Sequence, residues 1–117
     1  YYILTTDASI QTTVQDDATP YAPVQRFTTK SYSHGIYDLN GAFIATFTTT
    51  VKGYYFYPSQ EAEIVSVTGA YSNQAISGLS YRVEYNGNTA TVNITLNGAT
   101  IGSLGYKIST DGVISQL

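Results

Sequence analysis

His34 is the one side chain in this sequence whose ordinary pKa would let it exchange a proton near neutral pH. It stands in Ser31-Tyr32-Ser33-His34-Gly35, which reads as a strand end or turn, so a solvated loop histidine is expected there. A serine hydrolase would also need an orienting carboxylate and an oxyanion hole, and neither leaves a recognisable pattern around it. Glycoside hydrolysis would ask for two facing carboxylates. In the strand-rich region these are Asp38, Glu61, Glu63 and Glu84. Glu61 and Glu63 alternate along one strand face, about 6 to 7 Å apart, which is tolerable for a catalytic pair. As two exposed charges they would equally guard an edge strand against pairing, and that is the role expected of them. Asp7, Asp16 and Asp17 could bind Ca²⁺ only if loop carbonyls completed the shell, and EF-hand spacing is missing, so an acidic loop is expected.

The chain of 117 residues contains no Cys and a single His, which removes thiol chemistry, disulfides and cysteine-ligated zinc or iron–sulfur centres. No metal site and no cofactor are expected. Lys and Arg total 5 against 8 Asp and Glu, so the electrostatic basis for gripping nucleic acid or an anionic membrane is missing. Nor does any 18-residue apolar run offer a transmembrane segment. Charged residues make up 11%, well under the usual figure of about 25%, while 43% are hydrophobic. Thr, Ser, Asn, Gly and Tyr fill the difference, a composition suited to an exposed extracellular surface. The sequence opens at Tyr1 and contains no Met. We therefore expect something upstream to be missing, in the favoured reading a removed secretory leader and in the alternative more of a longer protein, and a secreted or cell-surface location.

Aromatic residues carry the strongest contact signal. Tyr54-Tyr55-Phe56-Tyr57 offers bulky rings to both faces of one strand. If one face meets water, one or two of the rings must be exposed or line a cavity, where Tyr supplies rigid apolar area with a polar tip. Tyr32 and Tyr37 are further contact candidates. Coverage of both faces, one by the core and the other by the N-terminal arm, is the alternative.

The elements that must position these rings follow a period of two. Ala90, Val92, Ile94 and Leu96 alternate with Thr89, Thr91, Asn93 and Thr95, a half-buried strand that runs into Asn97-Gly98. Both positions of a type I′ turn need positive φ, which Asn and Gly tolerate, so the next strand should return antiparallel. It should be bulged or interrupted near Gly102 and Gly105 and reach the turn at Asp111-Gly112, before Val113 to Leu117 closes the chain. Upstream, Leu79, Tyr81, Val83 and Tyr85 alternate with Ser80, Arg82 and Glu84 before Asn86-Gly87-Asn88. Asn40-Gly41 marks a hairpin whose second strand turns Phe43, Ala45, Phe47 and Val51 to one face, with a bulge at Gly53. Strands over Glu61 to Tyr71, Val24 to Tyr32 and Tyr2 to Thr6 complete the pattern. Ala8 to Pro23 reads as a long loop or arm with one helical turn near Asp7, and Ser72 to Gly78 as a short polar connection. Residues 1–117 are expected to form a single β domain, with 1–23 a partly irregular N-terminal arm. The fold class expected is all-β, an antiparallel meander of about eight strands closed as a lipocalin-like barrel, with a two-layer β-sandwich as the alternative.

Gly53-Tyr54-Tyr55-Phe56-Tyr57, the hairpin from Tyr85 to Val92 and the terminal strands ending at Asp111-Gly112 resemble the small, exported, single-domain β proteins of Gram-positive bacteria that have no assigned role. The resemblance spans roughly residues 41 to 117 and implies export and a lipocalin-like barrel, with no catalytic residue carried over. Some surface domains of such bacteria join a Lys amine to an Asn side chain, for which Lys30, Lys52 or Lys107 would be the donor. Asn93-Ile94-Thr95 is a glycosylation sequon in form, inside the cleanest strand. The function expected is a non-catalytic binding module for a glycan, a protein or a small apolar molecule. A structural or adhesin subunit that self-associates through edge strands, with the arm adding to a neighbour's sheet, is one alternative. A small extracellular hydrolase is the other.

Overall fold

The computed structural model describes the backbone of residues 1–11, 24–57 and 61–117, and the side chains of 1–5, 25–56 and 61–117. Eight strands lie among them: β1 (Tyr2–Gln11), β2 (Val24–Tyr37), β3 (Phe43–Tyr57), β4 (Glu61–Ser72), β5 (Leu79–Asn86), β6 (Thr89–Leu96), β7 (Ala99–Ile108) and β8 (Ile114–Gln116). Every pairing is antiparallel between neighbours in sequence. The strands divide into two four-stranded sheets, β1-β2-β3-β4 and β5-β6-β7-β8. The meander is therefore as expected but the barrel is not: the sheets do not close on one another, and the arrangement fits the two-layer sandwich better.

The break falls where the turn chemistry changes. Asn97 and Gly98 both take positive φ, 51° and 86°, and join β6 to β7 in a two-residue loop. Gly87-Asn88 forms the two-residue loop between β5 and β6, with positive φ (61°) at Gly87 and not at Asn88. Between β4 and β5 the link runs over residues 73–78, and positive φ at Asn73 and Gly78 lets the chain leave one sheet for the other. Along that corner β4 meets side chains and a turn instead of a fifth strand. The Val67 N–H donates to the Tyr85 hydroxyl and the Gly69 N–H to the Tyr81 hydroxyl, each at 3.0 Å. Ile64 N–H donates to the Gly87 carbonyl at 2.9 Å, and the Tyr71 hydroxyl donates to the Ser80 carbonyl. Hydroxyls thus satisfy edge donors that a closed barrel would give to a neighbouring strand.

The core lies between the sheets. Phe47, Val51, Ile36, Ile64 and Val67 come from the first, Val92, Ile94, Leu104, Tyr106 and Ile108 from the second. Ala90, Val92 and Ile94 point inward as the alternation requires, while Leu96 is half-buried beyond the bulge that leaves Ile101 unpaired beside Gly102. The bulge expected at Gly53 is present, opposite Ile64. Phe43 departs from expectation. The β2–β3 register shifts at Tyr37, so Phe43 turns outward at 41% exposure and Ile44 is buried in its place. Ala8–Gln11, expected as loop, continues β1 against Tyr32, Ser31, Lys30 and Thr29. The rest of the expected arm, with Asp16 and Asp17, lies outside the described residues.

Candidate functional site

Alternation along β3 sorts the aromatic run by face. Ala45, Phe47, Thr49, Val51 and Tyr55 fill the interior, so Tyr54 and Phe56 must project from the outer face. Tyr55 is enclosed because its ring lies on Gly112 in the β7–β8 turn. A Cβ there would fall 2.3 Å from Tyr55 Cε1, and the φ of +85° already favours glycine. The Tyr57 side chain lies outside the described residues.

Tyr54 and Phe56 do not stand alone. Register places Phe27 of β2 opposite Tyr54, with ring centroids 6.4 Å apart, and Tyr54 meets Phe56 edge-on at 5.4 Å. The Lys52 ammonium sits 5.2 Å above the Phe27 ring. The Tyr54 hydroxyl donates to Glu63 Oε2. That bond, with burial and the charges of Glu63 and Glu61, holds the hydroxyl above the usual tyrosine pKa. Beside it opens a cleft of about 410 Å³, lined by Tyr54, Glu61, Ala62, Glu63, Asn88 and Thr110, where β4 begins against two turns of the second sheet. Phe27 was not singled out from sequence; the β2–β3 register was the signal that could have found it.

Tyr37 belongs to a second outward cluster at the opposite end of the same sheet. Its ring stacks on Tyr2 at 5.3 Å and meets Phe43 edge-on at 5.8 Å. It also covers Gly35, where a Cβ would lie 2.8 Å from Tyr37 Cε2. Tyr32 is elsewhere altogether. As an even-numbered residue of β2 it points inward, is 4% exposed and packs 5.0 Å from Tyr106, so it contributes to the core and not to a surface. Its hydroxyl has no hydrogen-bond partner among the described residues.

His34 corrects the expectation of a solvated loop. Tyr32, His34 and Ile36 share the inner face of β2, and the imidazole is wholly buried. Nδ1 lies 2.9 Å from Thr5 Oγ1, whose hydroxyl donates to Gln116 Oε1 at 2.9 Å. With that proton spent, Thr5 must accept from Nδ1–H, which leaves Nε2 as an acceptor. Tyr106 Oη at 2.9 Å and Thr49 Oγ1 at 3.1 Å face Nε2 and are 2.7 Å from each other. The neutral ring therefore satisfies both nitrogens. Burial lowers its pKa from 6.5 to about 4 and pushes the Tyr106 hydroxyl up. This network ties β1, β2 and β3 to β7 and β8.

Three of the remaining candidates have hydrogen-bond partners. Asp38 Oδ1 accepts from the N–H groups of Asn40 and Ala42, which organises the β2–β3 loop. Lys30 Nζ donates to the Ile114 carbonyl at 3.2 Å and lies over the Tyr32 ring. Asn93 Oδ1 accepts from Ser103. Asp7 belongs to β1, but its side chain lies outside the described residues. Among the described residues, no three His, Asp or Glu side chains gather as a metal site.

Fold and site together define an all-β protein of two antiparallel sheets, with aromatic clusters on the outer face of one sheet. Compared with protein-family models, curated proteins and solved structures, the chain matches none of them.

Proposed function

We propose that this protein is an exported, non-catalytic binding module that makes contact through Phe27, Tyr54 and Phe56 and the cleft beside them. The observation that carries the reading is the division of labour along β3: its inward residues build the core, while Tyr54 and Phe56 stand outside it. Rings held edge-on to one another beside polar groups give rigid apolar area at little entropic cost. The low charge and Thr/Ser-rich composition support export. A lumen for a small apolar ligand has less support, because Phe47, Tyr32, Tyr106 and the His34 network occupy the space between the sheets. Catalysis by His34 has less support too, because the ring is buried and its nitrogens are engaged. Arrays of glycans and of purified proteins probed with the wild type and with a Tyr54→Ala/Phe56→Ala variant test the reading. Retention of the wild type at an arrayed partner that fails to retain the variant is expected; equal behaviour of the two overturns it.

Assembly through strand edges is the second reading. β1 pairs on one side with β2, and β8 covers only Tyr106–Ile108 of β7, which leaves backbone groups for an added strand. Its test is solution mass at increasing concentration, before and after deletion of residues 1–23.

A further inference from the structure

We infer that the outer face of the first sheet binds one linear, uncharged glycan chain along β2 and β3, stacked at its two ends on Phe27–Tyr54–Phe56 and Tyr2–Tyr37–Phe43. This deepens the binding-module reading and rests on it. The two ring clusters share a face, since Phe27 and Tyr37 are both odd-numbered residues of β2 and their partners Tyr54 and Phe43 face outward with them. Ten residues of extended strand separate Phe27 from Tyr37, about 33 Å along the sheet.

Hydroxyl groups fill most of the interval, with the Lys52 ammonium opposite Thr29 at its Phe27 end. Thr29, Ser31 and Ser33 of β2 lie beside Thr46, Thr48 and Thr50 of β3, with Ser31 paired to Thr50 and Ser33 to Thr48. All six are exposed or half-buried, and Ser31 Oγ lies 3.2 Å from Thr50 Oγ1. A strip of neutral donors and acceptors bounded by rings at both ends specifies its ligand. It must be long, carry many hydroxyls and also present apolar C–H faces. A sugar chain has all three properties.

The same pattern disfavours other partners. A protein interface concentrates its rings in a central dry patch with a polar rim, the reverse of a polar strip between two ring clusters. Nucleic acid and anionic membranes need clustered basic residues, and an anionic polysaccharide would meet a chain of net charge -3 with Glu61 and Glu63 at the near cluster. Charge therefore selects a neutral chain.

Titration calorimetry with neutral linear gluco-, xylo-, manno- and galacto-oligosaccharides, from disaccharide to decasaccharide, tests the inference. Affinity for the preferred series should rise with length and level off once the chain reaches both clusters, a gain of at least tenfold from the second contact. Tyr2→Ala/Phe43→Ala should abolish that gain, bringing long-chain affinity down to the short-chain level. Thr48→Val, which removes a mid-strip hydroxyl without altering shape, should weaken only the longer chains. Circular dichroism of each variant separates lost contact from lost folding. Length-independent affinity, or long-chain binding indifferent to Tyr2→Ala/Phe43→Ala, overturns the two-ended arrangement and leaves Tyr54 as the site. Binding to none of the neutral chains, with Tyr54-dependent retention on an arrayed protein, overturns the glycan and keeps the module.

Discussion

The Tyr106 hydroxyl, carried by the second sheet, lies 2.9 Å from Nε2 of His34, carried by the first, and both side chains are wholly buried. A polar contact across an otherwise apolar core holds two sheets in one registration, because sliding either would strand a ring nitrogen and a hydroxyl without partners.

Stability should therefore fall in acid through His34. Burial depresses the folded-state pKa from 6.5 to about 4, so the unfolded chain takes up a proton on this ring before the folded protein does. The ring's contribution is complete above the unfolded value and is lost as pH falls through the folded one. Across that window about 3 kcal/mol should disappear at 1.36 kcal/mol per pKa unit. Urea unfolding at a series of pH values measures it, and His34→Gln should flatten the slope between the two values.

Two tyrosine-to-phenylalanine changes in the same core should part company. Tyr106→Phe removes a hydroxyl that faces both His34 and Thr49, and leaves buried polar atoms short of a partner at a cost of about 1 to 3 kcal/mol. Tyr32→Phe removes a buried hydroxyl with no hydrogen-bond partner among the described residues and should be neutral or stabilising by about 1 kcal/mol. Chemical denaturation midpoints compare them directly.

At the corner between sheets, Tyr81→Phe and Tyr85→Phe should expose the Gly69 and Val67 N–H groups. Each loss costs about 1 kcal/mol, and the pair should also uncover an edge able to recruit another strand. Light scattering of the double variant at rising concentration should show self-association beyond that of the wild type.

Local chemistry was legible in the sequence, and long-range chemistry was not. Asn97-Gly98 and the alternation from Ala90 to Ile94 needed nothing beyond their own residues. Closure depended on what meets the far edge of β4, and the answer lay in hydroxyls at the tips of Tyr81 and Tyr85, which hydropathy counts as ordinary aromatics. His34 was misread because a polar residue hides the period of Tyr32, His34 and Ile36; its partners Thr5 and Tyr106 are 29 and 72 residues away. Phe43 was misplaced by a one-residue register shift that inverts every face behind it. For the candidate site, Tyr54 and Phe56 could be found from their run of rings, whereas Phe27 and Tyr2 join their clusters only through strand pairing.

The most direct test of the binding surface is to measure folding stability and ligand affinity together for Tyr54→Ala/Phe56→Ala, with Phe47→Ala as the core reference. The outward rings should cost no more than about 2 kcal/mol of stability, against about 3 to 5 kcal/mol for the buried Phe47, while affinity for the partner retained by the wild type falls at least tenfold. Unchanged affinity, or unfolding as severe as that of Phe47→Ala, would contradict a surface kept for contact.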